Sequence, residues 1–445
     1  MKKILFVIAS IIYISLQGRV YAYDLEIYGL YYNITSIKDL TVEVTKGGTE
    51  YTGDIIIPDN IEYNGTTLSV TSIGENVFLE SSIKRVKIGD NVKIIGEGAF
   101  FHSTLEQVEM GKSVESIGRS AFGNTLIKEI NIPASVTLLS SSAFSICLNL
   151  TKVVIEDGPG EIKSDRDGAI HFGGCPIEEF YLGRNMNMYP NGKYNYNVSG
   201  SLLYLANTSK IEIGPCVTTI DFNLFRNAPI KEIVIPSNVN SILKGAFSGC
   251  SKLEKVVFED GENKLWADFE TSAKIDSLYL GRNFKGYSGD KNHFGNTSVR
   301  NLNIGNKVTE LPEIHSPELE TLSLPSNVEI INSLSGCNLT NIYCYNLFPP
   351  LIDADDYFDN SVYVKCVLHV PEESLNLYQK VRGWKNFFTI KTMPKSGIND
   401  IINYENNFIE VYNMQGVKLD VKNRNEMSKL QRGIYIINGK KEFVK

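Results

Sequence analysis

The stretch VKIIGEGAF, Val92 to Phe100, decides the fold because it recurs along the chain. The pattern returns every 22 residues between residues 70 and 144, and twice more after an interruption, from Val217 and from Val239. The six copies read VTSIGENVF, VKIIGEGAF, VESIGRSAF, VTLLSSSAF, VTTIDFNLF and VNSILKGAF. A side chain that keeps one place in every repeat belongs to a shared core. We expect this of the closing phenylalanines, Phe78, Phe100, Phe122, Phe144, Phe225 and Phe247.

A second pattern, apolar-x-x-apolar-x-apolar, lies between these copies. It appears as IKRVKI (83–88), IKEINI (127–132) and IKEIVI (230–235), and twelve segments of this kind extend to residue 344. The alternation at its end predicts a strand. A fixed period built on L-x-x-L-x-L is the signature of a leucine-rich repeat solenoid, in which stacked coils share one core. We therefore predict a mainly β fold of about 12 coils with a parallel sheet on one face.

The repeats resemble one branch of these proteins, the BspA-like leucine-rich repeats of bacterial surface proteins. Its repeat reads roughly AF-x-x-C-x-x-L-x-x-V-x-I-P-x-x-V-x-x-I-G, and AFSGCSKLEKVVF (246–258) and AFSICLNLTKVVI (143–155) follow it closely. The resemblance covers about residues 68–345. It implies a right-handed solenoid at the bacterial surface and adhesion to host matrix proteins or other cells.

The beginning of the chain has the layout of a secretory signal peptide. Lys2 and Lys3 precede an apolar run from Ile4 to Leu16, which is too short to span a bilayer, and Ala22 ends a cleavage motif. The alternative is a buried N-terminal helix. We divide the chain into a signal peptide (1–22), a β-rich leader (23–67), the solenoid (68–345, with insertions at 158–172, 183–209 and 281–298), a cap (343–395) and a β tail (398–445).

The tail resembles the second half of the sorting domain of proteins exported by the type IX secretion route. The shared features are VYNMQG (411–416), LQRGIYII (430–437) and a basic end. The resemblance implies export to the outer surface of a Gram-negative cell. The alternative is a small β-structured tail that does not sort.

Gly96 and Gly98 could belong to a phosphate-binding loop, but the repeats argue against this. Gly96 is matched by Ser140 and Leu243, and Gly98 by Asn76, in other copies. A phosphate loop needs its glycines at fixed steps before a helix. We interpret these glycines as the turn of each coil.

Composition excludes several other functions. The net charge is −7 with no basic block, so nucleic acid is a poor partner, and no later run is apolar enough to cross a membrane. The five histidines are scattered and no cysteine and histidine cluster has zinc spacing, so we expect no catalytic residue, no metal and no cofactor. The acidic stretch from Asp353 to Asp359 lacks the spacing of a calcium loop.

Seven cysteines in a secreted chain raise the question of disulfides. Cys147, Cys175 and Cys250 occupy a repeat position that elsewhere holds serine, threonine or alanine, so we expect buried thiols there. Cys344 and Cys366 are the possible disulfide.

The exposed side of the predicted sheet is the candidate binding surface. Its middle column is charged in the first strands and becomes apolar or aromatic later, which is typical of a contact surface. Two alternatives are ordinary β-propensity and cover by the insertions. The candidate residues are Val154, Tyr181, Val234, Val257, Tyr279 and Tyr343 on the strands, and Tyr189, Tyr194 and Tyr196 on the second insertion, bordering the same face.

The sequence therefore predicts a secreted, cell-surface protein that binds an extracellular protein or glycan. Components of a host matrix are among the partners that this prediction covers. The alternative is a passive surface component without a dedicated ligand. An enzyme or enzyme accessory is the third hypothesis, and no motif of the chain supports it.

Overall fold

The computed structural model describes most of the chain between residues 23 and 393. The gaps are 167–170, 192–200, 204–207, 209, 286–292, 296, 335, 353, 355 and 356. Beyond Met393 it describes only the backbone of four short strands. The predicted signal peptide, Tyr194 and Tyr196 lie outside the described residues.

The fold is a parallel β-solenoid of about 13 turns, which confirms the predicted fold class. Each of the twelve predicted apolar segments contains a strand on the same side of the coils, called here the main sheet. Its ladder hydrogen bonds form three runs, which break between Gln107–Glu109 and Glu129–Ile132 and between Lys210–Cys216 and Glu232–Ile235. Its strands are Thr52–Ile57, Ser82–Ile88, Gln107–Glu109, Glu129–Ile132, Lys152–Ile155, Glu179–Asn187, Lys210–Cys216, Glu232–Ile235, Lys255–Phe258, Lys274–Leu280, Ser298–Ile304, Thr321–Leu324, Asn341–Cys344, Val367–Pro371 and Thr389–Met393.

A second ladder of shorter parallel strands, the secondary sheet, is formed by the V-x-x-I part of each repeat. Ser116 of one coil pairs with Ile94 before it and with Leu138 after it. Alternate residues of each strand enter the core, as the period of two requires. Its strands are Thr66–Ile73, Ile94–Ile95, Ser116–Ile117, Leu138–Leu139, Glu161–Ser164, Thr219–Ile220, Ser241–Ile242, Leu265–Ala267, Phe284–Lys285, Glu310–Leu311 and Ile330–Ile331.

A column of phenylalanines fills the third side of each coil and confirms the predicted core. The rings of Phe78, Phe100, Phe122 and Phe144 are fully buried and stack with centroids 4.9, 5.0 and 5.1 Å apart. Farther on, Phe225 and Phe247 are equally buried, with centroids 5.6 Å apart. Each ring contacts the coil before it and the coil after it, so burial in one coil depends on both neighbours.

Each interruption of the sequence pattern contains strands of the solenoid among its described residues. Residues 158–172 contain the secondary-sheet strand Glu161–Ser164, and Phe172 stacks on Phe144 at 5.3 Å. The strand Glu179–Asn187 runs well into the second interruption and pairs in both sheets. The third contains Phe284–Lys285.

Both ends of the solenoid are closed by other elements. The leader adds the strands Leu25–Ile27, Leu30–Ser36, Thr41–Thr45 and Asn60–Tyr63. The cap holds the helices Asn360–Lys365 and Leu375–Tyr378, with single 3₁₀ turns at Glu372–Ser374 and Trp384–Asn386. Trp384 is fully buried and its indole N–H donates to the Pro350 carbonyl at 2.9 Å. The apolar end of the last coil is thereby covered.

The tail forms an antiparallel four-stranded sheet of its own. Its strands are Val411–Tyr412, Lys418–Leu419, Gly433–Ile437 and Lys440–Val444. The last two pair from Gly433 with Val444 to Ile437 with Lys440.

Every regular coil places one residue in the left-handed backbone region at the position of Gly98. The φ angles of these six residues lie between 50° and 74°, and only two of the six are glycines. A second left-handed column follows four residues later, and it includes Ile146 with a φ of 61°. The sequence interpretation of Gly98 as a turn residue is therefore right, and the first column comprises Asn76, Gly98, Ser120, Ser142, Asn223 and Gly245.

Candidate functional site: the outer face of the main sheet

The outer face is the side of the main sheet that points away from the core. Strand pairing aligns its side chains in two columns that run across the coils. The first column alternates in sign, and its members pair across coils, as in Arg85 with Asp54 at 3.5 Å and Lys152 with Glu179 at 3.7 Å. Such exposed pairs neutralise one another and contribute little to stability.

The second column changes character along the solenoid. It begins with Ile56, which is followed by the ion pair of Lys87 and Glu109. From the Lys152–Ile155 strand onward it becomes mainly apolar and aromatic, as the sequence predicts. In order it reads Ile56, Lys87, Glu109, Asn131, Val154, Tyr181, Glu212, Val234, Val257, Tyr279, Asn303, Ser323 and Tyr343.

Two depressions lie on this face. The larger, about 910 Å³, covers the charged strands from Asp54 to Glu179. The smaller, about 480 Å³, contains Val154 and Tyr181. The sequence pattern indicates a contact surface only on the later strands, so the larger, charged depression could not be predicted from it.

The predicted strand residues differ in exposure. Val234 is 45% exposed, whereas Val154, Tyr181, Val257, Tyr279 and Tyr343 are half-buried. Tyr343 stacks on His369 of the next strand, with centroids 4.5 Å apart and an angle of 11° between the rings.

Tyr181 is held by neighbours from two other coils. Its hydroxyl donates to the carboxylate of Asp157 at 3.0 Å. A Cβ on Gly214 would overlap that hydroxyl, so the phenol rests against glycine backbone on its other side. Burial and the Asp157 carboxylate both raise the pKa of Tyr181 above its usual value, and the hydroxyl stays protonated. We call Asp157, Tyr181 and Gly214 the first tyrosine platform.

The same arrangement occurs a second time. The Tyr279 hydroxyl donates to Asp260 at 3.0 Å, and a Cβ on Gly305 would overlap it in the same way. We call Asp260, Tyr279 and Gly305 the second tyrosine platform. The aspartate precedes the tyrosine by 24 residues in the first platform and by 19 in the second, so the arrangement is kept although the coils differ in length.

A buried arginine follows each platform in the string LGRN. Arg184 donates to the carbonyls of Pro133 at 2.8 Å and Ala134 at 2.6 Å. Arg282 donates to the carbonyls of Pro236 and Ser237, both at 2.8 Å, and also to that of Val239 at 2.7 Å. Both guanidinium groups are 1% exposed or less, and burial lowers their pKa. Each arginine therefore ties the platform to a turn two coils earlier.

The asparagine of each LGRN string fixes the following coil. Asn185 accepts from the backbone N–H of Thr218 at 2.8 Å and donates to its hydroxyl at 2.9 Å. Asn283 makes the same two bonds to Thr309, at 2.9 and 3.1 Å. The two platforms are thus copies of one constellation with the same supports.

Tyr189 does not border the outer face, which corrects the sequence interpretation. It is 4% exposed, and its hydroxyl accepts from the Asn223 side-chain amide at 2.9 Å. The reason is that the Glu179–Asn187 strand carries the chain into the secondary sheet, so the tyrosine that follows enters the interior.

The possible disulfide between Cys344 and Cys366 is also wrong, because both are free and buried. Pairing of Asn341 with Val367 puts the two cysteines four residues out of register, about 13 Å along the strands. A disulfide needs Cα atoms within about 7 Å. Cys344 instead contacts the Tyr378 hydroxyl at 3.0 Å, and burial raises its pKa to about 11. The thiols expected to be buried, Cys147, Cys175 and Cys250, are buried and free.

The described residues contain no group of three or more histidine, cysteine or acidic side chains placed to hold a metal ion. Among the helices of that same part of the chain, none has the length and apolar character needed to cross a membrane.

The chain is similar to several solved structures of bacterial leucine-rich repeat proteins. A leucine-rich repeat protein from Bacteroides ovatus is 21% identical and covers 84% of this chain and 100% of its own, with a TM-score of 0.36. A leucine-rich cell surface protein from Faecalibacterium prausnitzii is 16% identical and covers 84% and 96%, with a TM-score of 0.31. A repeat protein from Bacteroides capillosus is 31% identical over 25% of this chain and 83% of its own, with a TM-score of 0.22. No curated protein sequence matches.

The model of the BspA type leucine-rich repeat region matches in six copies, over residues 71–199, 196–316 and 268–361. These ranges cover more than half of the chain. The chain belongs to the BspA-type leucine-rich repeat family.

Proposed function

We propose that this protein is a secreted surface protein that binds an extracellular protein or glycan, without covalent chemistry, through the outer face of the main sheet. The observation that carries the proposal is the apolar and aromatic strip between Tyr181 and Tyr279. Val234 is 45% exposed there, at a position where solvent alone favours a polar residue.

Rigidity supports the same proposal. Each side chain of the strip sits on a strand that is hydrogen-bonded to a neighbouring strand of the main sheet, so little freedom is lost when a partner binds. The alternating first column flanks the strip with charges of both signs, which is the usual surround of an apolar contact area.

The test uses the chain from Tyr23 to its C-terminus, immobilised and exposed to a panel of extracellular matrix proteins and glycans. A variant carrying Val234→Lys and Val257→Lys places charges in the strip. We expect the unmodified chain to retain at least one partner and the variant to lose it. The matched control carries Ile94→Lys and Ile330→Lys, two exposed isoleucines of the secondary sheet, 51% and 40% exposed.

The outcomes separate the alternatives. Equal capture by the strip variant and the control would contradict a role for the outer face. No capture of any panel member by the unmodified chain would favour a passive surface component instead.

A further inference from the structure

We propose that the two tyrosine platforms are equivalent subsites for a neutral polysaccharide, which lies across the strands of the outer face and contacts both. This inference rests on the proposed function and names the chemistry of its ligand. The repetition itself points to such a ligand, since two identical contact points on one rigid surface match a partner whose own units repeat.

The chemistry of each platform suits a sugar ring. Tyr181 and Tyr279 are each half-buried, and the exposed part of an aromatic ring can contact the apolar C–H side of a sugar. A carboxylate beside it accepts hydrogen bonds from sugar hydroxyls, and such charge-assisted bonds are strong. A carboxylate accepts about four hydrogen bonds, and the Tyr181 hydroxyl uses part of this capacity on Asp157, so the remainder can accept from sugar hydroxyls.

The spacing of the platforms fits one extended chain. Tyr181 pairs in register with Glu212, and Val234, Val257 and Tyr279 pair in turn, so the two tyrosines lie four strands apart. The strands Lys210–Cys216 and Glu232–Ile235 in the middle of this run are neighbours without ladder hydrogen bonds. With the usual spacing between neighbouring strands, the two tyrosines are about 19 Å apart. Glu212, Val234 and Val257 lie between them, so two apolar residues and one exposed carboxylate separate the two contact points.

Charge decides which polysaccharide fits. The depression around the first platform is lined by four acidic residues, Glu156, Asp157, Glu179 and Glu212, against two lysines, Lys152 and Lys210. The second platform contributes the carboxylate of Asp260, and the nearby Lys307 is paired with Glu262, which leaves one net negative charge among these three groups. A chain of sulfated or uronic acid units would meet repulsion at both points, whereas a neutral chain would not.

The arginine and asparagine of the LGRN strings explain how two distant points stay equivalent. Each pair ties its platform to a turn on one side and to the next coil on the other. Each platform is therefore fixed before the ligand arrives, which lowers the entropic cost of binding.

The test measures binding of the chain from Tyr23 to four soluble neutral polysaccharides (mannan, dextran, xyloglucan and galactomannan), with heparin as the anionic comparison. We expect at least one neutral polymer to bind and heparin not to bind. Tyr181→Ala and Tyr279→Ala should each weaken polymer binding by roughly 100-fold, because losing one of two linked contacts removes avidity. The double variant should not bind.

Two further measurements keep structural damage apart from loss of a subsite. With a trisaccharide of the polymer that binds, calorimetry should give two sites per chain, and one site after either single substitution. Tyr28→Ala, at a tyrosine of the leader that is 90% exposed, is the matched control and should leave polymer binding unchanged. Thermal unfolding of each variant reports whether it has kept its fold.

The results overturn the inference in distinct ways. It fails if a folded Tyr181→Ala variant binds the polymer as the unmodified chain does, or if heparin binds more tightly than every neutral polymer. Capture of a protein through Val234 and Val257 with no polysaccharide bound would also overturn it, while the proposed function would stand. If no partner of any class is captured, both fall.

Discussion

Between Phe78 and Phe144 each coil repeats one aromatic side chain at one place, whereas between Arg184 and Arg282 the coils are tied by long polar side chains. In the first region a ring touches only the adjacent coils, at 4.9 to 5.1 Å. In the second, each arginine reaches a turn two coils away. Regular coils need only nearest-neighbour packing, while coils of unequal length need ties that span them. The platforms lie where such ties are present.

Removing one ring of the first region should have the largest effect. Phe122→Ala leaves a cavity between the rings of Phe100 and Phe144, so we expect the free energy of unfolding to fall by about 3–5 kcal/mol. Urea unfolding measures this. Phe348→Ala, at a side chain that is 78% exposed, should change it by less than about 0.5 kcal/mol. A loss below about 1 kcal/mol at Phe122 would contradict a continuous aromatic core.

Acid should lower the stability of the coil between Phe144 and Arg184, where His171 is fully buried. Its Nε2 lies 2.9 Å from the Ser164 hydroxyl, and burial lowers its pKa from 6.5 to about 4. Because the folded state holds the histidine neutral, its contribution is complete above pH 6.5 and is lost as the pH falls towards 4. The loss is about 3 kcal/mol.

Unfolding measured at pH 7 and pH 4 tests this, with His171→Gln as the comparison because glutamine does not titrate. The variant should lose less stability over that range than the unmodified chain. Parallel pH curves for the two proteins would show that another group is responsible.

Removing an arginine tie should lower the free energy of unfolding by less than removing a ring. Arg184→Met leaves two buried backbone carbonyls without a donor and Arg282→Met leaves three, so we expect losses of about 2–3 kcal/mol, with the larger loss at Arg282. Hydrogen exchange should report loosening in the coils around each substitution. No loosening around one of the two positions would mean that the copies do not share one supporting role.

The ion pairs of the first region should contribute least to the free energy of unfolding. Lys84 and Glu106 lie 3.3 Å apart but are half exposed, so a double-mutant cycle with Lys84→Met and Glu106→Gln should give a coupling below about 1 kcal/mol. High salt should abolish it. A coupling that persists in 1 M salt would show that this face is less solvated than its exposure indicates.

The regular features could be predicted from the sequence because the solenoid repeats them. The twelve strands, the phenylalanine core and the buried small-residue position of Cys147 and Cys250 all follow from one period. The features that were missed depend on contacts between coils. The partners Asp157 and Tyr181 lie on coils of irregular length, so no fixed spacing connects them. The strings EDG and LGRN, each present twice, were the available signal for them.

The two errors have the same physical origin. Tyr189 lies where the repeat pattern stops, and only strand pairing reveals that the coil continues into the secondary sheet. Cys344 and Cys366 are close in the order of elements, and only the register separates them along their strands. The sequence period predicts which residues face inward, but the strand pairing of irregular segments can be read only from the structure.

Substitution of the left-handed residues of the coils offers a way to raise the melting temperature of this protein. Ser120, Ser142 and Ile146 hold a conformation that costs a non-glycine residue about 1–2 kcal/mol. Glycine or asparagine at these places, far from the outer face, would relieve that cost without altering any contact surface. A protein engineer could therefore raise the melting temperature through the turns alone and leave recognition as it is.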